Sequence, residues 1–333
     1  MKAVRLRAPG AIGIEDVPVP EPGPGEVLVR VEAAGVCGTD RHLLRGEYPC
    51  TPPVTLGHEF GGIVVAAGPG AGIAEGTRVC CDPNDWCGSC AMCRSGRVNL
   101  CPRNVATGVH RDGGFADYVS FPARRAHVLP PGLDPRRGAF CEPLACTLHG
   151  MDMAALRPGE RALILGGGVI GQLAARLAAA AGAEVMMLTR STVRQDLALQ
   201  GGARHAAATP AQARALWPEG ADAVLECAGV AETVAASPAL ARTGGRVVVM
   251  GVLPGGVQVP IEPFDLLLRE ITLGFAFLNP FTQARAVALI AGGHVDVGPL
   301  ISREVALDDL PRVIASDPAP GEIRVIARPQ GTG

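Results

Sequence analysis

Two groups of side chains in this sequence have the types and spacing for metal chemistry. Leu56-Gly57-His58-Glu59-Phe60 supplies an imidazole and a carboxylate, Cys37 a thiolate, and Cys141-Glu142-Pro143 a second carboxylate with a rival thiol. A set of thiolate, imidazole and carboxylate suits zinc better than magnesium or calcium, and His58 is read as helping to hold a reactive zinc. Two residues beyond Cys37, Thr39 offers a hydroxyl able to pass a proton, and His42 offers an imidazole that can carry that proton to water. Singly each has a plainer reading: Cys37 as small apolar filler, Thr39 and Asp40 as turn formers, His42 as a surface side chain. The coincidence of Cys37 with Gly57-His58-Glu59 favours the site. Cys87, Cys90, Cys93 and Cys101 form a different pattern, Cys-x2-Cys-x2-Cys-x7-Cys. Four thiolates so close together can close a tetrahedron with no position left for water, which makes a structural zinc. Free thiols, two disulfides or a DNA-touching zinc ribbon are the competing readings, and for the last only Arg94, Arg97 and Arg103 stand nearby. His127, His205 and His294 lack polar company of the right type and are read as structural or exposed. His110 opens a turn-rich loop, through Phe115, that can line a pocket. Cys50, Cys80, Cys81, Cys146 and Cys227 are read as packing rather than as metal ligands.

A third constellation lies in the second half. Arg161-Ala162-Leu163-Ile164-Leu165 reads as a buried strand, Gly166-Gly167-Gly168-Val169-Ile170-Gly171 as a tight turn, and the segment from Gln172 to Ala181 as a helix. This is G-x-G-x-x-G in the setting that lets backbone approach a dinucleotide pyrophosphate at a helix N-terminus. The next strand, Glu184 to Leu188, ends at Thr189-Arg190-Ser191, with Arg194 shortly after. An NAD-preferring site places an acidic residue there for the ribose 2′-hydroxyl. Here no carboxylate stands to repel a 2′-phosphate and one or two guanidiniums can bind it, so NADP is expected, with NAD as the alternative. The plainer reading makes both arginines surface charges at a helix start.

The elements that must position these groups divide in two. From Lys2 to about Pro130, short alternating runs such as Val27 to Val31, Gly62 to Ala66 and Phe115 to Val119 are broken by Gly and Pro, the pattern of a curled β-barrel. In the second half, further strands at Ala223 to Glu226, Arg246 to Met250 and Ile271 to Phe275 alternate with helical segments, implying a doubly wound parallel sheet. With 333 residues there is length for two cores. A net charge of −2, without blocks of like charge, gives nucleic-acid or membrane-surface binding no electrostatic support. The opening residues have no signal-like apolar segment. The longest apolar region, Ala162 to Leu188, is interrupted by Gln172, Arg176 and Glu184, against a membrane span. Eleven cysteines, an odd number with four in a metal-like cluster, fit a reducing compartment, and a cytoplasmic protein is expected.

Together these motifs resemble the zinc-containing medium-chain alcohol and polyol dehydrogenases over nearly the whole chain. Glu142-Pro143-Leu144 resembles the sorbitol and threonine dehydrogenase branch, because liver-type alcohol dehydrogenases carry a third zinc-binding cysteine at that place. The resemblance implies a GroES-like catalytic domain made of residues 1–143 and 279–333, with a structural zinc lobe at 87–101. A Rossmann NADP-binding domain at 144–278 would be inserted between the two parts. It implies a catalytic zinc on Cys37 and His58 with Glu59 or Glu142 as third ligand, Cys141 as a rival, and Asp40 orienting His58. Cofactor contacts are expected from Gly166, Gly168, Val169, Ile170, Gly171, Thr189, Arg190, Ser191, Arg194, Cys227, Gly251 and Phe275, and Tyr48, His110, Phe115 and Asn279 are candidates for pocket walls. The implied reaction is reversible oxidation of a secondary alcohol, of the polyol or sugar-alcohol class, with Thr39, His42 and Glu59 as catalytic residues. Thr39 would take the hydroxyl proton and pass it through the cofactor ribose to His42. The resemblance also implies a homodimer or homotetramer. Alternatives are an NAD-linked threonine-type or butanediol-type dehydrogenase, a zinc-free quinone or enoyl reductase, and a redox-inactive dinucleotide-binding regulator.

Overall fold

The computed structural model describes residues 1–331. The chain divides into two compact units: Met1–Pro143 with Gln283–Gly292 and the segment from Ile301 onward, and Leu144–Thr282 with Gly293–Leu300. The exchange point expected after residue 278 falls four residues later, and residues 293–300 join the second unit. Both differences have local causes. The Thr282 hydroxyl donates to the Ala145 carbonyl at 2.7 Å, and Arg176 Nε donates to the Asp296 carbonyl at 3.0 Å.

The first unit is built around the strand Glu26–Gly35, in which Val27, Leu28, Val29, Val31, Ala33 and Ala34 are all buried. One edge pairs antiparallel with Glu59–Ala67; the other is shared by Tyr118–Pro122, opposite Glu26 to Arg30, and Arg324–Arg328, opposite Ala34 and Gly35. One strand serving three neighbours, with register shifts along its length, curls the sheet as a barrel requires. Phe115, expected within a strand, instead plugs the core ahead of Tyr118–Pro122, fully buried. Phe60 and Phe121 meet edge to face at 5.4 Å in the same core.

In the second unit six parallel strands lie in the order His205–Ala207, Glu184–Leu188, Arg161–Leu165, Ala221–Glu226, Ala241–Val249 and Thr272–Phe275. The order reverses beside Arg161–Leu165, the topological switch point where ligands bind in doubly wound sheets. Helix Val169–Ala180 packs there through Ala174, Ala175 and Ala178, small side chains that let it approach closely. Among the described residues no helix is long and apolar enough to cross a membrane.

Candidate metal centres and dinucleotide cradle

Cys37 ends the run-out from strand Glu26–Gly35 and is the N-cap of helix Gly38–Arg45. Its backbone N–H donates to Asp40 Oδ2 at 2.8 Å, which pins the thiol at the helix mouth, and Thr39 Oγ1 lies 3.6 Å from Cys37 Sγ. The sheet register then places Glu59, first residue of its strand, directly opposite Gly35. A side chain at Gly35 would put its Cβ 2.6 Å from Glu59 Oε2, so glycine is what admits the carboxylate. In consequence the ligand atoms of Cys37, His58 and Glu59 lie within 4.8 Å of one another. His58 and Glu59 are buried, and His58 Nε2 stands 4.0 Å from Glu59 Oε1. Asp40 Oδ1 is 3.6 Å from His58 Nδ1, longer than a hydrogen bond, and both atoms are buried with no hydrogen-bond partner among the described residues.

A residue that no motif signals completes the electrostatics. Arg324, 2% exposed and first in its strand, sets its NH1 2.8 Å from Glu59 Oε2 and donates from the same nitrogen to the Val36 carbonyl at 2.6 Å. Burial opposes its charge, but Glu59, Cys37 and Glu142 hold the guanidinium above its ordinary pKa. Enclosure likewise raises the Cys37 thiol, yet His58 and Arg324 outweigh it and bring the thiol down to about 6. Burial lowers the His58 imidazole, but Cys37 and Asp40 lift it well above its usual value. For Glu59 burial dominates and pushes the carboxyl well up, although Arg324 opposes it. A thiolate, an imidazole and a carboxylate crowded together, with buried polar atoms unsatisfied, fit one zinc whose fourth position stays available. Glu142, buried in the first turn of helix Cys141–Ala154, lies outside the trio whose ligand atoms converge, as does Cys141. Cys141 instead hydrogen-bonds with Cys80, which pushes its thiol well above normal.

The four clustered cysteines also converge, with ligand atoms within 4.8 Å of one another. Cys87 and Cys101 sulfurs are 3.5 Å apart, and Cys87–Cys93 and Cys90–Cys101 are each 3.9 Å. These spacings are far beyond a disulfide and close to the edge of about 3.8 Å expected for a Zn–S tetrahedron. Backbone N–H groups of Ser89 and Cys90 hold Cys87 down to about 5, and Arg103 donates to its sulfur at 3.2 Å. Burial and hydrogen bonds from its neighbours push Cys93 up to about 12. The residues fit a second zinc held by four thiolates, with no coordination position left open.

His42, five residues after Cys37, contacts Glu47 Oε2 through Nδ1 at 2.7 Å. Gly46, with φ 73°, ends the helix so that the Glu47 N–H returns to the His42 carbonyl at 2.9 Å. Nothing in the sequence had tied Glu47 to His42. His110 accepts from the Ala106 N–H at 3.0 Å and borders a cavity of about 860 Å³ with Arg5, Thr51 and Tyr118. His205, read as lacking polar company, lies 2.8 Å from Glu184 Oε1.

In the second unit the glycine-rich turn lies where the motif requires. Gly166 has φ 98°, and a Cβ on Gly171 would fall 1.8 Å from the Gly166 carbonyl, so the turn and helix close only with glycine there. Gly168 caps helix Val169–Ala180 with no side chain, leaving its first N–H groups available to a phosphate. Cys227, Gly251 and Phe275 all stand at or just past the C-terminal ends of parallel strands, Cys227 half-buried and Phe275 exposed. Thr189 and Ser191 flank the exposed Arg190, which borders an open depression of about 480 Å³ with Gln195 and Gln212, and Arg194 is half-buried one turn into the next helix.

Comparison with known proteins agrees with this geometry. Residues 23–131 match the alcohol dehydrogenase GroES-like domain, and residues 169–291 the zinc-binding dehydrogenase domain. The sorbitol dehydrogenase of Halalkalibacterium halodurans is 32% identical over 331 residues, 96% of each chain. The 2-dehydro-3-deoxy-L-galactonate 5-dehydrogenase of Pseudoalteromonas atlantica is 34% identical over 304 residues, 89% of each. Among solved structures, a protein of Sinorhizobium meliloti 1021, assigned as a zinc-binding dehydrogenase and bound to NADP, superposes with a TM-score of 0.95. It is 51% identical, covering 98% of this chain and 99% of its own. The two family matches and these relatives place a GroES-like unit and a doubly wound sheet in one family, and the chain belongs to the zinc-containing medium-chain dehydrogenase family of oxidoreductases.

Proposed function

We propose that the chain exchanges hydride between NADP(H) and a secondary alcohol or its ketone, on a polyhydroxylated substrate of the polyol or sugar-acid class. The observation that carries the reading is the convergence of Cys37, His58 and Glu59 in a unit whose other metal set is all thiolate. Cys37, His58 and Glu59 would hold the catalytic zinc, and Cys87, Cys90, Cys93 and Cys101 a structural one. When bound, zinc lowers the pKa of the substrate hydroxyl and the nicotinamide takes the hydride. The rest falls to the chain. Asp40 holds Cys37 at the helix mouth through its N–H, and Arg324, 2.8 Å from Glu59, opposes the burial that pushes the Glu59 carboxyl up. Thr39, beside Cys37, places the hydroxyl that accepts the substrate proton. Glu47 would accept from His42 Nδ1–H in the tautomer that leaves Nε2 free to take up that proton and pass it to water.

The NADP reading rests on Arg190, Ser191 and Arg194 at the end of strand Glu184–Leu188, where the carboxylate of an NAD site is absent. The NADP bound by the Sinorhizobium meliloti protein supports it. The sorbitol and galactonate relatives support a polyhydroxylated substrate. A second reading comes from the L-threonine 3-dehydrogenase of Mesorhizobium japonicum, 31% identical over 329 residues. Initial rates with NADP⁺ and NAD⁺ on sorbitol, sugar acids, L-threonine and 2,3-butanediol separate the two. Preference for NAD⁺ with threonine would replace the polyol proposal. Metal analysis should find two zinc ions per chain, one of them lost in His58→Ala, and a variant keeping both would refute the assignment of the reactive site. We also propose self-association through the free edge of the parallel sheet. Phe264, Leu267 and Leu268 are 66–71% exposed beside the outermost strand Thr272–Phe275, and light scattering on a sizing column would show a monomer if this is wrong.

A further inference from the structure

Helix Val169–Ala180 buries two polar side chains that a helix on a nonpolar sheet has no need of. Gln172 is fully buried and Arg176 is 6% exposed, among Leu173, Ala174, Ala175 and Ala178. Burying an amide and a guanidinium is costly unless each is hydrogen-bonded, so their bonds show what they hold. Gln172 Nε2 donates to the Arg194 carbonyl at 2.8 Å and lies 3.5 Å from the Gly167 carbonyl. Its Oε1 accepts from Arg176 NH1 at 3.0 Å. Arg176 in turn donates to the Asp296 carbonyl at 3.0 Å and, through NH2, to the Leu197 carbonyl at 3.4 Å. Gly201 leaves the room this needs, since a Cβ there would come within 2.7 Å of the guanidinium.

The bonds thus join the glycine-rich turn to the first turns of helix Thr192–Gln200, which carries Arg194. The two are already tight: a Cβ on Gly167 would stand 2.9 Å from the Arg194 Cβ. The loop between them is stitched from its own side as well. Gln195 Nε2 donates to the Thr189 carbonyl at 2.6 Å, and Ser191 Oγ accepts from the Arg194 N–H at 3.5 Å. We propose that Gln172, supported by Arg176, is a positioning residue for coenzyme selectivity. By holding the Arg194 carbonyl against the pyrophosphate turn, it sets the distance between the diphosphate cradle and the groups that meet a ribose 2′-phosphomonoester. This inference rests on the NADP reading above and adds a residue that itself touches no phosphate.

The test is equilibrium binding to the zinc-loaded protein, with 2′,5′-ADP and 5′-AMP as probes of the 2′-phosphate and NADPH and NADH as whole coenzymes. Gln172→Met keeps the length and burial of the side chain and removes the donor. Losing one buried hydrogen bond and leaving a carbonyl unsatisfied should weaken 2′,5′-ADP and NADPH on the order of tenfold, with 5′-AMP and NADH changed by less than about twofold. Arg176→Lys keeps the charge, drops the forked contacts, and should move the same ratio in the same direction by less, which keeps the test usable if Gln172→Met fails to fold. An unchanged ratio in both variants, or equal loss for both probes together with a lowered Tm, would overturn the inference while leaving the NADP reading intact. A wild-type protein that binds 5′-AMP as tightly as 2′,5′-ADP would sink both.

Discussion

Replacing Arg324 by methionine removes the cation that faces Glu59. The pair sits 2.8 Å apart with Glu59 1% and Arg324 2% exposed, so solvent screens it little. The cost is that of stranding a buried carboxylate, about 3–5 kcal/mol, and not the small value of a surface ion pair. For a domain of this size that corresponds to a fall in Tm of roughly 6–20 °C. Calorimetry on the metal-free protein, with Arg324→Met, Glu59→Gln and the double variant, completes a cycle in which the double variant recovers most of the loss, because an amide needs no cation. The pH dependence has a definite sign. Burial already raises the Glu59 carboxyl above its unfolded value, and without Arg324 it rises further. The folded state then binds the extra proton, so the deficit of Arg324→Met grows as pH increases and shrinks in acid. Adding zinc supplies Glu59 with another cation and should also reduce the deficit. A loss below about 1 kcal/mol, or strictly additive effects, would show that the pair does not stabilise the fold as argued.

Further expectations concern the two metal sets. Because Cys37 and Asp40 hold His58 protonated well above its usual range, zinc must displace that proton, and affinity should climb with pH from about 6 upward. Chelator competition from pH 6 to 8.5 measures this, and a flat profile would contradict it. Gly35→Ala drives a methyl into Glu59 Oε2 and should lower zinc occupancy at the reactive site while sparing the cysteine cluster, as read by metal content after mild dialysis. Cys93→Ser should cost one zinc and leave the lobe around residues 87–101 open to protease, with the second zinc retained. Protection as complete as in the wild type would argue against a structural ion there.

What could be read from the sequence was chemistry held by short spacing or by motif context. The four cysteines lie within one loop, and the glycine turn comes between a strand and a helix, so local order alone brings each together. Cys37, His58 and Glu59 could be grouped because their residue types together suit zinc, although sheet pairing is what makes them meet. Arg324 was invisible for the opposite reason: it is one arginine among many, in a strand without a motif, and only the docking of that strand, through Ile326 opposite Gly35, brings it to Glu59. Glu47 was missed because its role depends on a left-handed glycine at position 46 turning the chain back onto His42. That Glu59 rather than Glu142 converges with Cys37 and His58 likewise depends on the register, since both are buried acids and Glu59 stands opposite Gly35.

The strand that carries Arg324 has a bearing on how the protein is made. Translation delivers Cys37, His58 and Glu59 early, and the partner of Glu59 emerges only after the whole second unit has left the ribosome. Until then the nascent first unit must carry an acidic side chain whose neutralising cation does not yet exist, along with an unpaired edge on strand Glu26–Gly35 where Arg324–Arg328 will dock. Termination just upstream of Arg324 would release a chain with every proposed zinc donor present and the Ala34–Gly35 end of its central strand unpaired. Such a product would be a substrate for quality control rather than a slow enzyme.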